Sequence, residues 1–281
     1  MSSVEKAIQK LTKIGGANPA GADDHGTAQV GGIDHGGNEL CVAITDILRK
    51  NHMISPATPT SGLAEEYRRI KRPLLTNMLA TGHDRIDHAN LILVTSSLSG
   101  EGKTFSSINL AVSLAMELDR TVVLIDADIH RPAISQMFGV DDHLGLTDVL
   151  AKQVDLGRVL LKTDMPKLRL LPVGIQEEHL SELLGSNHMQ ALVTELETRY
   201  HDRIMVFDSP PLLGASDAVV LGGLVGQIAV VVEADKTPKN VLVEALTALH
   251  ASEDQMLGLI YNKNRAHRNA RYYSGYYSSG Q

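Results

Sequence analysis

Residues 91–104 read LILVTSSLSGEGKT, an apolar run that gives way to a glycine-rich turn and then to Lys103 and Thr104. The first part fits a buried strand, and KTFSSINLAVSLAMEL, residues 103–118, fits a helix. A strand, a loop carrying Gly100 and Gly102, and a helix that opens on Lys-Thr form the setting of a phosphate-binding loop. Glycine lets the backbone curve until its N–H groups converge on phosphate oxygens. The helix N-terminus adds roughly half a positive charge. Lys103 then reaches the β- and γ-phosphates, and Thr104 offers its hydroxyl to Mg²⁺. Ser99, Gly100, Glu101, Gly102 and Phe105 complete the loop around the nucleotide. Ser97 stands where Gly or Ala is usual, a mild departure.

Further apolar runs fit strands of the same kind, namely TVVLIDA from 121, LRLLPV from 168, RIMVFDS from 203, QIAVVVEA from 227 and MLGLIYN from 256. Helical stretches lie between them, including residues 181–200 and a helix opening at Thr237 and Pro238. Strands that are apolar throughout and alternate with helices predict a doubly wound α/β fold: a mostly parallel sheet with helices on both faces. In such sheets the ligand crevice lies at the carboxyl ends of the strands. Asp126 and Asp128 end one strand, and Asp208 ends another after four apolar residues. Asp208 is a carboxylate placed to hold Mg²⁺, directly or through water.

Upstream, Ser2 and Glu5 have capping-box spacing, and Val4, Ala7, Ile8 and Leu11 repeat at helical intervals. Residues 15–37 are rich in Gly, Asp and His without a hydrophobic period, the composition of a flexible linker. Leu40, Ala43, Ile44, Ile47 and Leu48 form a second stripe, and SPATPTSG is a break. LAEEYRRIK reads as a charged helix that Pro73 interrupts, since proline lacks the amide donor. The expected organisation is residues 1–60 as N-terminal helices and linker, 61–262 as the catalytic domain, and 263–281 as a flexible tail.

Composition excludes several classes. Apolar residues make up 43% of the 281, enough for a sizeable core, yet no apolar run approaches 18 residues, so no membrane span is expected. The N-terminus lacks the apolar segment of a secretory signal. Cys41 is the single cysteine, which excludes a disulfide framework or a structural thiolate zinc site. These features predict a cytoplasmic protein. The net charge of −7 argues against a whole-protein nucleic-acid surface. His83 and His88 are close but lack a zinc-like framework, and GGIDHGG follows no strand, so it is not a dinucleotide fingerprint.

Four of the seven tyrosines, Tyr272, Tyr273, Tyr276 and Tyr277, fall within a polar C-terminal stretch beside Arg265, Arg268 and Arg271. A solvated tail gains little from phenol rings, which leaves packing on the domain, a partner contact, or a set of phosphate acceptors. Phosphorylation adds up to about two negative charges per site.

Taken together, these residues resemble the bacterial tyrosine kinases, P-loop autokinases of exopolysaccharide systems, over about residues 60–281. SLSGEGKT resembles their Walker A motif, LIDADIHRP their second aspartate motif and MVFDSPP their Walker B. PVGIQEEHLSELLGS, YHDRIMVFDSPPLLGASDA and the tyrosine cluster are similar as well, most of all to kinases found beside exosortase systems. The resemblance implies an ATP- and Mg²⁺-dependent autokinase that regulates exopolysaccharide polymerisation or export. Lys103, Asp126, Asp128 and Asp208 would be catalytic, with Thr104, Asp128 and Asp208 at the metal and Asn262 at the nucleotide. Asp126 would orient the acceptor hydroxyl and take its proton. The four tail tyrosines of a neighbouring chain would be the acceptors. EEYRRIKRPLL resembles an oligomerisation helix through Glu65, Arg68 and Lys71, although Lys71 stands for an arginine and i,i+3 ion pairs within one chain account for the same pattern. The second aspartate motif often carries Arg where this chain has His130. The implied partners are further copies of the chain, a transmembrane polysaccharide co-polymerase that activates it at the inner membrane, and a phosphotyrosine phosphatase; nucleic acid is not among them.

A partition or septum-positioning ATPase of the same P-loop class is the nearest alternative, but it typically carries a second lysine early in the loop, where this chain has Ser97-Leu98-Ser99-Gly100. A non-catalytic nucleotide-binding scaffold is the other.

Overall fold

The computed structural model describes residues 12–13, 41–152, 154–175, 180–200, 202–252 and 254–264. The predicted N-terminal helix at Val4–Leu11 and the tyrosine tail lie outside the described residues. In chain order the elements begin with β1 (Thr12–Lys13), β2 (Cys41–Val42), α1 (Thr45–Lys50), α2 (Gly62–Met78), β3 (Leu91–Ser96), α3 (Lys103–Ala115), β4 (Thr121–Asp126), α4 (Ala133–Met137), α5 (Leu146–Lys152) and α6 (Leu156–Val159). They continue with β5 (Leu161–Thr163), β6 (Leu168–Leu171), α7 (Leu180–Leu184), α8 (Asn187–Arg199), β7 (Arg203–Asp208), α9 (Asp217–Gly222), β8 (Gln227–Glu233), α10 (Lys239–Ala248) and β9 (Met256–Asn262).

The strands form one sheet in the order β1-β9-β8-β3-β7-β4-β6-β5-β2. Every pairing is parallel except β5 with β6. Alternation within each strand divides the core. Leu91, Leu93, Val123, Ile125, Met205 and Phe207 belong to one cluster, with residues of α8, α9 and α10. Ile92, Val94, Val122, Leu124, Ile204 and Val206 belong to the other, with α1, α2 and α3. Both faces are covered, which is why the strands are apolar at every position. Helix α3 is sandwiched so completely that every residue from Ser106 to Ala115 is buried.

Several expectations need correction. The division at residue 61 falls inside the packed unit: Val42, Ile44, Leu48, Met53 and Ile54 join the core, and the Ile54 amide donates to Asn109 Oδ1 at 2.7 Å. Pro73 does not end its helix, because α2 runs on to Met78. Only the bond to the Arg69 carbonyl is forgone, and the far turn is held by its surroundings: Leu74 is buried, and Gln227 donates to Leu74 O and accepts from Asn77. The stretch at 181–200 is two helices, α7 and α8, with Ser186 accepting from the His188 amide at 3.2 Å between them. Helix α10 begins one residue later than predicted, with Pro238 as its cap.

Candidate active site

Strand β3 lies between β7 and β8, and its carboxyl end feeds the loop 97–102 into the N-terminus of α3. Gly100 and Gly102 have φ of 87° and 99°, in the left-handed region that side chains resist. At Gly102 a β-carbon would also stand 2.1 Å from Asn262 Nδ2. The loop is braced from inside. Glu101 accepts from the Leu98 amide at 2.8 Å and from the Thr237 hydroxyl, and Ser96 Oγ donates to Leu98 O at 2.7 Å.

Parallel register brings the carboxylates together. Asp126 pairs with Asp208 across β4 and β7, and Val94 pairs with Asp208 across β3 and β7. Lys103 Nζ is 2.6 Å from Asp128 Oδ2 and 3.8 Å from Asp208 Oδ2. Thr104 donates to Asp208 Oδ2 at 2.7 Å, and Ser107 donates to Asp208 Oδ1 at 2.9 Å. Burial pushes the Asp208 carboxyl above the usual carboxylate range, while Lys103, Thr104 and Ser107 oppose that shift. Asp128 Oδ1 is held by the Arg131 amide at 3.0 Å.

A cleft of about 470 Å³ opens over this cluster. The loop glycines, Lys103, Thr104 and Phe105 line one side, Asp128, His130 and Arg131 another, and Pro210, Pro211, Gly214 and Ala215 the third. Arg131 reaches across to Ser99 Oγ at 3.3 Å, and His130 Nε2 lies 2.9 Å from Asp217 Oδ2. The oxygens of Thr104, Asp128 and Asp208 are the hard donors that suit Mg²⁺, which takes one or two carboxylates and leaves its other positions to water and phosphate.

Several predicted site residues stand elsewhere. Glu101 is 2% exposed and its carboxylate turns back into the loop, so it is a brace. Asn262 lies behind the loop, where Nδ2 donates to Glu101 O at 2.9 Å. Asp126 is fully buried and absent from the cleft wall; its Oδ2 accepts from the Ser135 amide and hydroxyl, both at 2.8 Å, and Oδ1 has no partner. Burial, then the charge of Asp208, raises its pKa to about 7 against the Ser135 hydrogen bonds. A proton acceptor that must touch a phenol is not placed there. Lys71 does not face outward: it is 6% exposed, pairs with Glu117 at 2.6 Å and donates to Ser113 O at 2.6 Å. Glu65 and Arg68 pair with each other on the surface of α2. Sequence reasoning missed Ser107 and Ser135. The signal for Ser107 was its spacing, one helical turn after Lys103 on the same face.

This geometry has close relatives. A family model of the ParA type, described as NUBPL iron-transfer P-loop NTPase, matches residues 87–271. The tyrosine-protein kinase YwqD of Bacillus subtilis is 31% identical over 239 residues, which cover 83% of this chain and 96% of YwqD. The chain belongs to the bacterial tyrosine kinases, within the ParA-type P-loop NTPases. The kinase is also 27% identical to the putative tyrosine-protein kinase CapB of Staphylococcus aureus, over 81% of this chain and 98% of CapB. Among solved structures, the BceF tyrosine kinase domain superposes with a TM-score of 0.61 at 27% identity, covering 73% of this chain and 78% of that one. Membership of this P-loop family implies nucleotide binding, and among the described residues no helix is long and apolar enough to cross a membrane.

Proposed function

We propose that the kinase transfers the γ-phosphoryl group of ATP to Tyr272, Tyr273, Tyr276 and Tyr277 of a neighbouring copy, as a regulator of exopolysaccharide polymerisation or export. The observation that carries this reading is the meeting of Lys103, Thr104 and Asp128 on the wall of one cleft, with Thr104 donating to the fully buried Asp208 behind it. Phosphoryl transfer has a loose transition state, so positioning and charge neutralisation dominate. Lys103 exchanges its contact with Asp128 for phosphate oxygens. The loop amides and the α3 N-terminus neutralise further charge. Thr104, Asp208 and Asp128 would hold Mg²⁺, which would supply charge neutralisation at the phosphates.

The kinase is proposed to work in the cytoplasm, held at the inner membrane by a transmembrane co-polymerase, and to be reset by a phosphotyrosine phosphatase. Copies would associate through Glu65 and Arg68 on α2. Lys71 supports packing within the chain instead.

Incubating the purified kinase and its Lys103→Met variant with Mg-ATP tests the chemistry. Tail phosphotyrosine is expected in the first and reduced by about 10² or more in the second, since the lysine acts on charge that grows during transfer. Equal phosphotyrosine in both, or none in either when the activating partner is supplied, contradicts the proposal.

A further inference from the structure

The phosphate loop is held from behind by Asn262, the last residue of β9, and by Lys263, which follows it. Asn262 pairs in register with Glu233 at the end of β8. Asn262 Nδ2 donates to Glu101 O at 2.9 Å. Lys263 donates through Nζ to Gly100 O at 2.6 Å and to Glu233 Oε2 at 3.1 Å. Its own amide donates to Asn262 Oδ1 at 2.9 Å. Lys263 has φ of 58°, a left-handed backbone that is uncommon outside glycine and persists where neighbours fix it. Here the side chain and the amide are both engaged.

The consequence follows from peptide geometry. In a trans peptide the C=O and the following N–H point in opposite directions. Drawing Gly100 O back to Lys263 turns the Glu101 N–H forward. Drawing Glu101 O back to Asn262 turns the Gly102 N–H forward. Gly100 and Gly102 line the cleft, so forward is toward the phosphates. Glycine alone would let these peptides rotate, and the same freedom that permits the loop leaves its amides unaimed.

We propose that Lys263 is a positioning residue for the phosphate loop: by holding the Gly100 carbonyl it aims the Glu101 amide at bound nucleotide. Glu233 holds the ammonium in place, and its 14% side-chain exposure limits competition from water. Lys263 also lies nine residues before Tyr272, the first of the proposed acceptors. The inference rests on the nucleotide reading of the cleft.

The test uses the full chain and a fluorescent ADP analogue with Mg²⁺. Lys263→Ala is expected to weaken binding about tenfold, the size of a lost charge-assisted hydrogen bond. The KM for ATP should rise by a similar factor while kcat changes less than about threefold, and Lys263→Arg should restore most of the affinity because it keeps a charged donor. The nucleotide-free melting temperature should stay close to that of the parent, which separates aiming from folding. Should Lys263→Ala lose its fold, Glu233→Gln decides, with a several-fold weakening expected from loss of the anchor. Binding within twofold of the parent in the folded variant that decides, or an arginine no better than alanine, overturns the proposal. A parent chain that binds no nucleotide overturns the reading of the cleft itself.

Discussion

Asp126 and Asp208 face each other on adjacent strands, both without solvent, and only Asp208 is relieved by Lys103. The Asp126 carboxyl is therefore easier to protonate in the folded chain, at about 7, than in the unfolded one, near 3.8. The folded state holds a proton there across that window and the unfolded state does not. Its contribution to stability is greatest in acid, declines as pH rises from about 4 to about 7, and stays low above that. Asparagine has no such dependence. Asp126→Asn should therefore be more stable than the parent at pH 8 in metal-free buffer, and the advantage should shrink by about 3 kcal/mol on going to pH 5, at about 1.4 kcal/mol per pH unit. Denaturant unfolding at the two pH values measures it, and a constant difference contradicts the assignment. The residue types of this site were legible in the sequence because a phosphate loop and strand-end carboxylates have fixed spacing. Their directions were not. Glu101 and Asn262 turn behind the loop because two left-handed glycines swing the peptides between them, and Asp126 is sealed off by Ser135, nine residues away.

Helix α2 shows the same limit one level up. Its charged sequence reads equally well as a subunit contact or as a solvated face, and only tertiary structure separates Lys71 from its neighbours. The last carbonyls of α3 lack helical partners, as at any helix end. Lys71 takes Ser113 O, and Lys167 takes Glu117 O and Leu118 O just beyond. Two cations thus close the negative end of the helix that starts at the phosphate loop. Lys71→Ala should cost about 2 kcal/mol, from a buried charge-assisted hydrogen bond and its ion pair. Thermal unfolding at a concentration where the chain is monomeric checks this, with a fall of about 4–8 °C expected for a domain of this size. An unchanged melting temperature with a lost oligomer would restore Lys71 to the subunit contact. The long strands and α3 were legible because 3.6-residue and uniformly apolar patterns need length to show. Strands β2 and β5, two and three residues long, carry no readable period, and the packing of residues 41–54 depends on partners more than a hundred residues away, such as Asp164 at the Ile44 amide.

At the scale of the molecule, the proposed transfer has to bring a nucleotide at the carboxyl end of the sheet together with the phenols of residues 272–277. Tyr272 lies ten residues beyond Asn262, and ten extended residues reach at most about 36 Å. Length alone thus permits a chain to reach its own cleft, and transfer between copies has to be measured. The direct measurement mixes two altered chains with Mg-ATP and the activating partner: one with Lys103→Met and an intact tail, the other with an intact cleft and residues 272–281 removed. Mass spectrometry of the tail then has one possible source of phosphate. Phosphotyrosine at Tyr272, Tyr273, Tyr276 or Tyr277 of the Lys103→Met chain is the predicted result. A tail left unmodified there, under conditions in which the unaltered kinase phosphorylates itself, contradicts transfer between copies.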